Sequence, residues 1–146
     1  MKVKIKRLDR SVDLPKYQTH ESAAFDISAN EEVTIEPRQI KRVRTGLVIE
    51  SPQGYFLLIA ARSSTPRKKG LTIIQGIGII DRDFSGPEDE VLLQLYNFSD
   101  KSVQITKGER LAQGIFLPVD QIEWNEVDQI REKSRGGFGS TGGMNV

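Results

Sequence analysis

An all-β domain of jelly-roll type is the fold this sequence predicts, and three observations carry the prediction. Apolar residues recur with period two along most of the chain. About a dozen such runs occur, each short and bounded by Gly, Pro, Asn, Asp or Ser. Helical signals are few and brief. With 146 residues, 37% of them hydrophobic, one domain with a genuine core is the default. Connecting loops gather at the sheet ends of such a fold, so chemistry is expected on loops held by rigid strands.

Taken in order, Val3, Ile5 and Leu8 open a first strand, and the polar residues 9–22, which include Pro15, form a connecting loop. Ala23 to Ala29 is a short apolar strand with Asp26 inside it, and Val33-Thr34-Ile35 follows before Pro37. Ile40 to Glu50 reads as alternation over one longer span. Ser51-Pro52-Gln53-Gly54 is a turn signal, after which Tyr55 to Ala61 is an unbroken apolar run suited to a buried strand. Further strands are expected at Leu71 to Ile74, Ile79 to Phe84, Val91 to Phe98, Val103 to Ile105 and Leu111 to Val119. Residues 64–69, with Pro66 in the first turn, predict a short helix, and Glu126 to Ser134 predicts another turn or two. The organisation expected is an all-β domain over residues 1–125 and an arm over 126–146.

Composition excludes several kinds of chemistry. Lys plus Arg number 21 against 20 for Asp plus Glu, so the formal charge of +1 gives no bulk attraction to nucleic acid or an acidic membrane. Anion binding must therefore be local. The absence of cysteine rules out disulfides, thiolate metal sites and a cysteine nucleophile. His20 is the only histidine, which argues against a Ser-His-Asp triad or a multi-histidine metal site. No run approaches the roughly 20 apolar residues of a membrane span, and the expectation is a soluble, cytoplasmic protein.

The stretch from Gly76 to Gly86 organises the candidate chemistry. Gly76 and Gly78, on either side of Ile77, allow something to approach the main chain. The Ile79-Ile80 pair is expected to anchor the segment in the core, and Asp81 can bind a hydroxyl or a water. An ordinary hairpin with a charged tip is the other reading of these residues. Arg62-Ser63-Ser64 follows the buried strand and offers a guanidinium and two hydroxyls at the end of a rigid element, or a plain loop opening. Gln113 can donate an amide hydrogen bond from the strand that follows Lys107-Gly108-Glu109-Arg110. Asp26, in an apolar strand, needs a partner, either an Arg or backbone amide or a metal-water network. Residues 135–143 hold five of the 13 glycines, and composition alone reads them as a flexible tail. Phe138 could nonetheless stack on a base while Ser140, Thr141, glycine amides and a cation receive phosphates.

In combination and order, these clusters resemble the trimeric deoxyuridine triphosphate nucleotidohydrolases, or dUTPases, over nearly the full length. Five ordered motifs carry the resemblance: Ala23-Ala24-Phe25-Asp26-Ile27, Ala61-Arg62-Ser63-Ser64, the run from Gly78 to Gly86, Gly108-Glu109-Arg110-Leu111-Ala112-Gln113, and the run from Gly136 to Gly142. The resemblance implies a distorted jelly-roll or β-clip barrel with a Gly-rich C-terminal arm. It implies hydrolysis of dUTP to dUMP and pyrophosphate by water attack on the α-phosphorus, with Mg2+ held mainly by the triphosphate. That reaction limits uracil in DNA and supplies dUMP for thymidylate synthesis. By position, the resemblance implies that Asp81 would be the catalytic carboxylate. Gly76, Ile77 and Gly78 would read uracil through their main chain, Phe84 would pack under the deoxyribose, and Phe138 would cover the base. Arg62, Ser63, Ser64, Gln113, Lys133, Arg135, Ser140 and Thr141 would hold phosphates. No protein ligand to the metal is implied, with Asp26 at most in its outer shell. A homotrimer with shared active sites is implied as well.

Three departures from the family pattern stand out. Lys133 occupies a position where Arg is usual, with an Arg at Arg135 instead, and lysine cannot supply a bidentate fork. Phe84 replaces the more frequent Tyr. The acidic stretch Ser85-Gly86-Pro87-Glu88-Asp89-Glu90 is longer than usual and reads as a solvated hairpin tip. The related dCTP deaminases carry a Glu three residues before an Asn, whereas counting back from Asn97 reaches Gln94, an amide that cannot shuttle a proton. A catalytically silent nucleotide-binding relative is the remaining alternative.

Overall fold

Each strand is short because the period-two pattern is cut by turn residues every few positions, and the strands are gathered into four small antiparallel sheets. The computed structural model describes residues 1–137. In chain order the elements are β1 (Lys4–Arg7), β2 (Phe25–Ser28), β3 (Val33–Ile35), β4 (Ile40–Arg44), β5 (Leu47–Glu50), β6 (Tyr55–Ala61), α1 (Ser64–Lys69), β7 (Leu71–Ile73), β8 (Ile77–Ile80), β9 (Leu92–Asn97), β10 (Val103–Ile105) and β11 (Arg110–Pro118). The largest sheet runs β2-β11-β6-β8, a second runs β4-β9-β7, and β1-β5 and β3-β10 form two-stranded ribbons. Among the described residues the expected all-β jelly roll is thus found, with α1 as its one helix. Gly70 ends that helix in the left-handed conformation and donates its N–H to the Pro66 carbonyl, while Pro66 sits within it.

The core lies between the sheets. Ile27, Ile35, Val43, Leu57, Leu71, Val91, Leu95 and Ile105 are fully buried. Each contributes about 1.5–3 kcal/mol of hydrophobic stabilisation. Along β6 the alternate residues Leu57 and Ile59 point inward, whereas Leu58 and its cross-strand neighbour Ile79 share the outer face.

Four sequence expectations need correction. The span from Ile40 to Glu50 is two strands, broken at Thr45-Gly46, because Gly46 (φ +70°) turns the chain from the β4 sheet to the β5 ribbon. The strand expected over Ile79 to Phe84 is displaced to Ile77–Ile80. Residues 81–84 instead form a turn, closed by the Phe84 N–H to the Asp81 carbonyl at 3.3 Å. Of the Ile79-Ile80 pair, only Ile80 packs on the core, since a strand sends successive side chains to opposite faces and leaves Ile79 61% exposed. Residues 126–134 contain no helical turn. Their apolar residues Val127 and Ile130 are exposed, so nothing within the described chain stabilises a helix there.

Candidate active site

Cross-strand register assembles one end of the site. In the large sheet Gln113 of β11 lies opposite both Asp26 of β2 and Ala60 of β6, so the three share the outer face. Arg62 emerges where β6 ends. Its backbone N–H bonds the Leu111 carbonyl at 3.2 Å, and Thr65 of α1 donates its hydroxyl to the same carbonyl at 2.7 Å, which hangs the 62–65 turn on β11. Ser63 occupies the N-cap position of α1 but makes no side-chain capping bond, so its hydroxyl is not spent on the helix.

Asp26 finds the partner that its burial demands. Arg62 Nε lies 3.0 Å from Asp26 Oδ1, and Arg110 Nη1 donates to Oδ2 at 3.1 Å. Arg62 Nη1 also donates to the Arg110 carbonyl at 3.2 Å. Two guanidiniums around one carboxylate leave the cluster positive. The adjoining groove adds Ser64, Lys68 and Lys69, with Lys69 paired to Glu109 at 2.7 Å. Arg62, Arg110, Lys68 and Lys69 against Asp26 and Glu109 make four cations to two anions, a local surplus of two on a chain whose net charge is only +1. Such a groove can take a polyanion.

Asp81 stands elsewhere. β8 pairs antiparallel with β6, Ile80 opposite Leu57 and Ile77 opposite Ala60. Gly76 and Ile77 are therefore near the Arg62 end of β6, and Asp81, just beyond Ile80, is level with Phe56 at the other end. From position 56 to 62 is six residues, about 20 Å at 3.3 Å each. Asp81 lines an open cleft with Gly54, Tyr55, Phe56 and Val119, and Phe84 is 42% exposed. Thus Asp26, Arg62, Ser63, Ser64 and Gln113 cluster, Asp81 and Phe84 do not join them within one chain, and Lys133 and Arg135 lie exposed beyond β11. Phe138, Ser140 and Thr141 lie outside the described residues. The glycines divide: Gly76 (φ +82°) is required by the turn, whereas a Cβ at Gly78 would meet Ile59 Cβ at 3.4 Å, an ordinary contact, so packing within the chain does not itself demand a glycine there.

The segment after Asp81 is tethered. Arg82 Nη2 donates to Glu50 Oε1 at 3.1 Å, and Lys4 Nζ donates to Oε2 at 2.9 Å. The hydrogen bond from Lys4 foremost, then the charges of Lys4 and Arg82, outweigh desolvation and hold the Glu50 carboxyl below its ordinary 4.5. A depressed folded value gives stabilisation that is present above the ordinary range and lost as pH falls through the folded value. The wild-type melting temperature is accordingly expected to fall more steeply below pH 4.5 than that of Glu50→Gln. Parallel melting curves against pH would remove Glu50 from the acid response. The acidic 85–90 stretch is also pinned rather than a free solvated tip. Glu90 accepts from Gly46 N–H at 2.6 Å and Arg44 Nε at 3.0 Å, Asp89 accepts from Gly86 N–H at 2.7 Å, and Lys6 donates to the Pro87 carbonyl at 2.9 Å. Arg44 and the Gly46 N–H thus hold Glu90, Gly86 holds Asp89 and Lys6 holds the backbone at Pro87, partners that spacing alone does not reveal.

Sequence reasoning assigned no role to Arg110 or Lys68. Arg110 stood inside a motif already quoted, but its partner Asp26 is 84 positions away and meets it only through the β2-β11 register.

The dUTPase family model matches residues 10–142. A deoxyuridine 5'-triphosphate nucleotidohydrolase of Lactococcus lactis is 43% identical over 90% of this chain and 89% of its own length. That of Nautilia profundicola is 42% identical over 97% of this chain and 99% of its own. Among solved structures, the Streptococcus mutans dUTPase superposes with a TM-score of 0.76 at 33% identity, covering 84% of this chain and 98% of that one. The Staphylococcus bacteriophage 80alpha dUTPase, solved with dUPNHPP, reaches 0.85 at 25% identity, with 97% of this chain and 98% of that one covered. On the ordered clusters, the antiparallel fold and these matches together, the chain belongs to the dUTPase family.

Proposed function

We propose that this chain hydrolyses dUTP to dUMP and pyrophosphate in a site shared between the subunits of a homotrimer, in the cytoplasm, limiting uracil in DNA and supplying dUMP. The observation that carries the reading is the basic groove around Arg62, paired with Asp26 on a chain of this family. The water oxygen bonds to the α-phosphorus, the bond from that phosphorus to the oxygen bridging to the β-phosphate breaks, and pyrophosphate leaves with that oxygen. A proton is released to solvent. Asp81 orients the water; Arg62, Ser63, Ser64 and Gln113 neutralise and align the phosphates, with Lys133, Arg135, Ser140 and Thr141 of the 126–146 arm added on closure. Gly76, Ile77 and Gly78 take uracil by their backbone, Phe84 supports the sugar and Phe138 covers the base.

Two features support a shared site. Asp81 and Arg62 of one chain stand about 20 Å apart, too far to act on one phosphorus, so the carboxylate of one copy serves the phosphate groove of another. The outer face of the large sheet leaves Ile77 44% and Ile79 61% exposed, and beyond β11 Ile122 and Trp124 are 66% and 86% exposed, apolar surface suited to burial between copies.

The donor set fits a metal carried by the substrate. Among the described residues no group of three or more Asp, Glu, His or Cys gathers to hold an ion, and Asp26 is engaged by two arginines. Mg2+ on the triphosphate would supply charge neutralisation of the phosphate oxygens, with Asp26 in its outer shell.

Incubation with dUTP, dCTP, dTTP and UTP plus Mg2+ tests the reading: pyrophosphate from dUTP alone is expected. Ammonia from dCTP would indicate a deaminase, which Gln94 speaks against, and no product would indicate a silent binder.

A further inference from the structure

We infer that Arg110 is a positioning residue for Arg62, acting through the shared carboxylate of Asp26. The inference rests on the reading of Arg62 as a phosphate ligand. Its origin lies in a β-bulge. β11 pairs with β2 through Arg110 opposite Ser28 and Ala112 opposite Ile27, so β11 advances two residues while β2 advances one. In an unbroken ladder Arg110 and Ala112, two apart, would share a face, and Ala112 lies in the core with Ile27. The extra residue, Leu111, is itself buried and moves Arg110 to the face of Ser28 and Asp26. A bulge in this place therefore re-aims one guanidinium toward one carboxylate.

The consequence falls on Arg62. Its Nε is paired with Asp26 Oδ1 at 3.0 Å and its Nη1 donates to the Arg110 carbonyl at 3.2 Å. Those contacts leave Nη2 without a protein hydrogen bond among the described residues. Arg110 Nη1, at 3.1 Å from Oδ2, holds the far side of the same carboxylate. A long side chain loses rotamer freedom when it binds an anion, and a guanidinium already held at two nitrogens loses less. Without the Arg110 side chain, Asp26 can rotate and Arg62 can swing with it.

A double-mutant cycle on the full chain tests this, with dUTP turnover and calorimetric binding of inorganic tripolyphosphate measured in parallel. Arg110→Gln is expected to raise KM and weaken tripolyphosphate binding about tenfold, and Arg110→Lys, which keeps a charge near Asp26, about threefold. In an Arg62→Ala background either change should add less than about twofold, because its target is gone. Undiminished losses in that background, or no loss in the single variants, overturn the inference. A purely structural role would lower the melting temperature without this dependence on Arg62. Should Arg110→Gln fail to fold, the Arg110→Lys arm carries the same comparison. Wild-type protein that binds tripolyphosphate but leaves dUTP intact would refute the proposed reaction while the binding cycle still decides on Arg110; failure to bind tripolyphosphate would overturn both the phosphate role of Arg62 and this inference.

Discussion

Asp81→Asn is expected to abolish dUTP turnover while leaving dUTP affinity within about tenfold, or about 1.4 kcal/mol. The substitution keeps size and exposure but exchanges an acceptor-only carboxylate for an amide, so a water held by Asp81 loses its orientation while phosphate and base contacts persist. Asp81 is exposed, and in-line attack on a polyphosphate is limited by positioning and by charge on the oxygens, so orientation of the water is the larger part of its role. Steady-state kinetics and calorimetry give both numbers, and near-normal turnover would sink the assignment. The separation of Asp81 from Arg62 adds a second arm. Arg62→Ala should also be nearly inactive, yet refolding it together with Asp81→Asn should recover a measurable fraction of activity, because some mixed assemblies contain one site with both residues intact. Mixtures no more active than their components would exclude a site shared in this way.

Gly46→Ala is expected to lower unfolding stability by roughly 2–5 kcal/mol, the largest loss anticipated for removing no functional group. Two costs coincide. At φ +70° an L-residue is strained, and the new Cβ would stand 2.5 Å from Val12 Cγ2 and 2.6 Å from Asn30 Nδ2. The first atom belongs to a stiff β-branched side chain that is 6% exposed, so it cannot swing away cheaply. The position also carries the Gly46 N–H bond to Glu90 and receives the Leu8 N–H at its carbonyl, 2.9 Å away. Strain here would loosen β1, β5 and the 85–90 loop together. Urea unfolding measures the effect, and a loss below about 0.5 kcal/mol would show that the corner relaxes more freely than its packing implies.

The parts of the site legible in the sequence are those in which neighbours along the chain do the work. Arg62-Ser63-Ser64 is located because a strand ends where its buried run ends, and Gln113 because a turn opens its strand; Asp81 is legible as a carboxylate after an apolar pair, but its place in a turn is not, since the pattern predicts a strand that continues to Phe84. Asp26 was legible only as a carboxylate in need of a partner. The partner depended on the β2-β11 register and on the bulge at Leu111, neither of which has a local signature. The sheet switch at Gly46 was read as continuous strand for the same reason: alternation persists on both sides, while the clash that forbids a side chain comes from Val12 and Asn30. The reverse error occurred at residues 126–134, where local propensity suggested a helical turn and no packing partner within the chain sustains one.

By itself the sequence determined the fold class, the family and the kinds of group available to the chemistry, because periodicity, turn residues and motif order are properties of nearby positions. Tertiary structure alone decided which charges meet. It gave Asp26 two arginines, turned Ile79 outward and placed Asp81 and Arg62 at opposite ends of β6. The physical reason is strand pairing: a one-residue change of register reverses every side chain's face, and that register is set by packing across the whole domain.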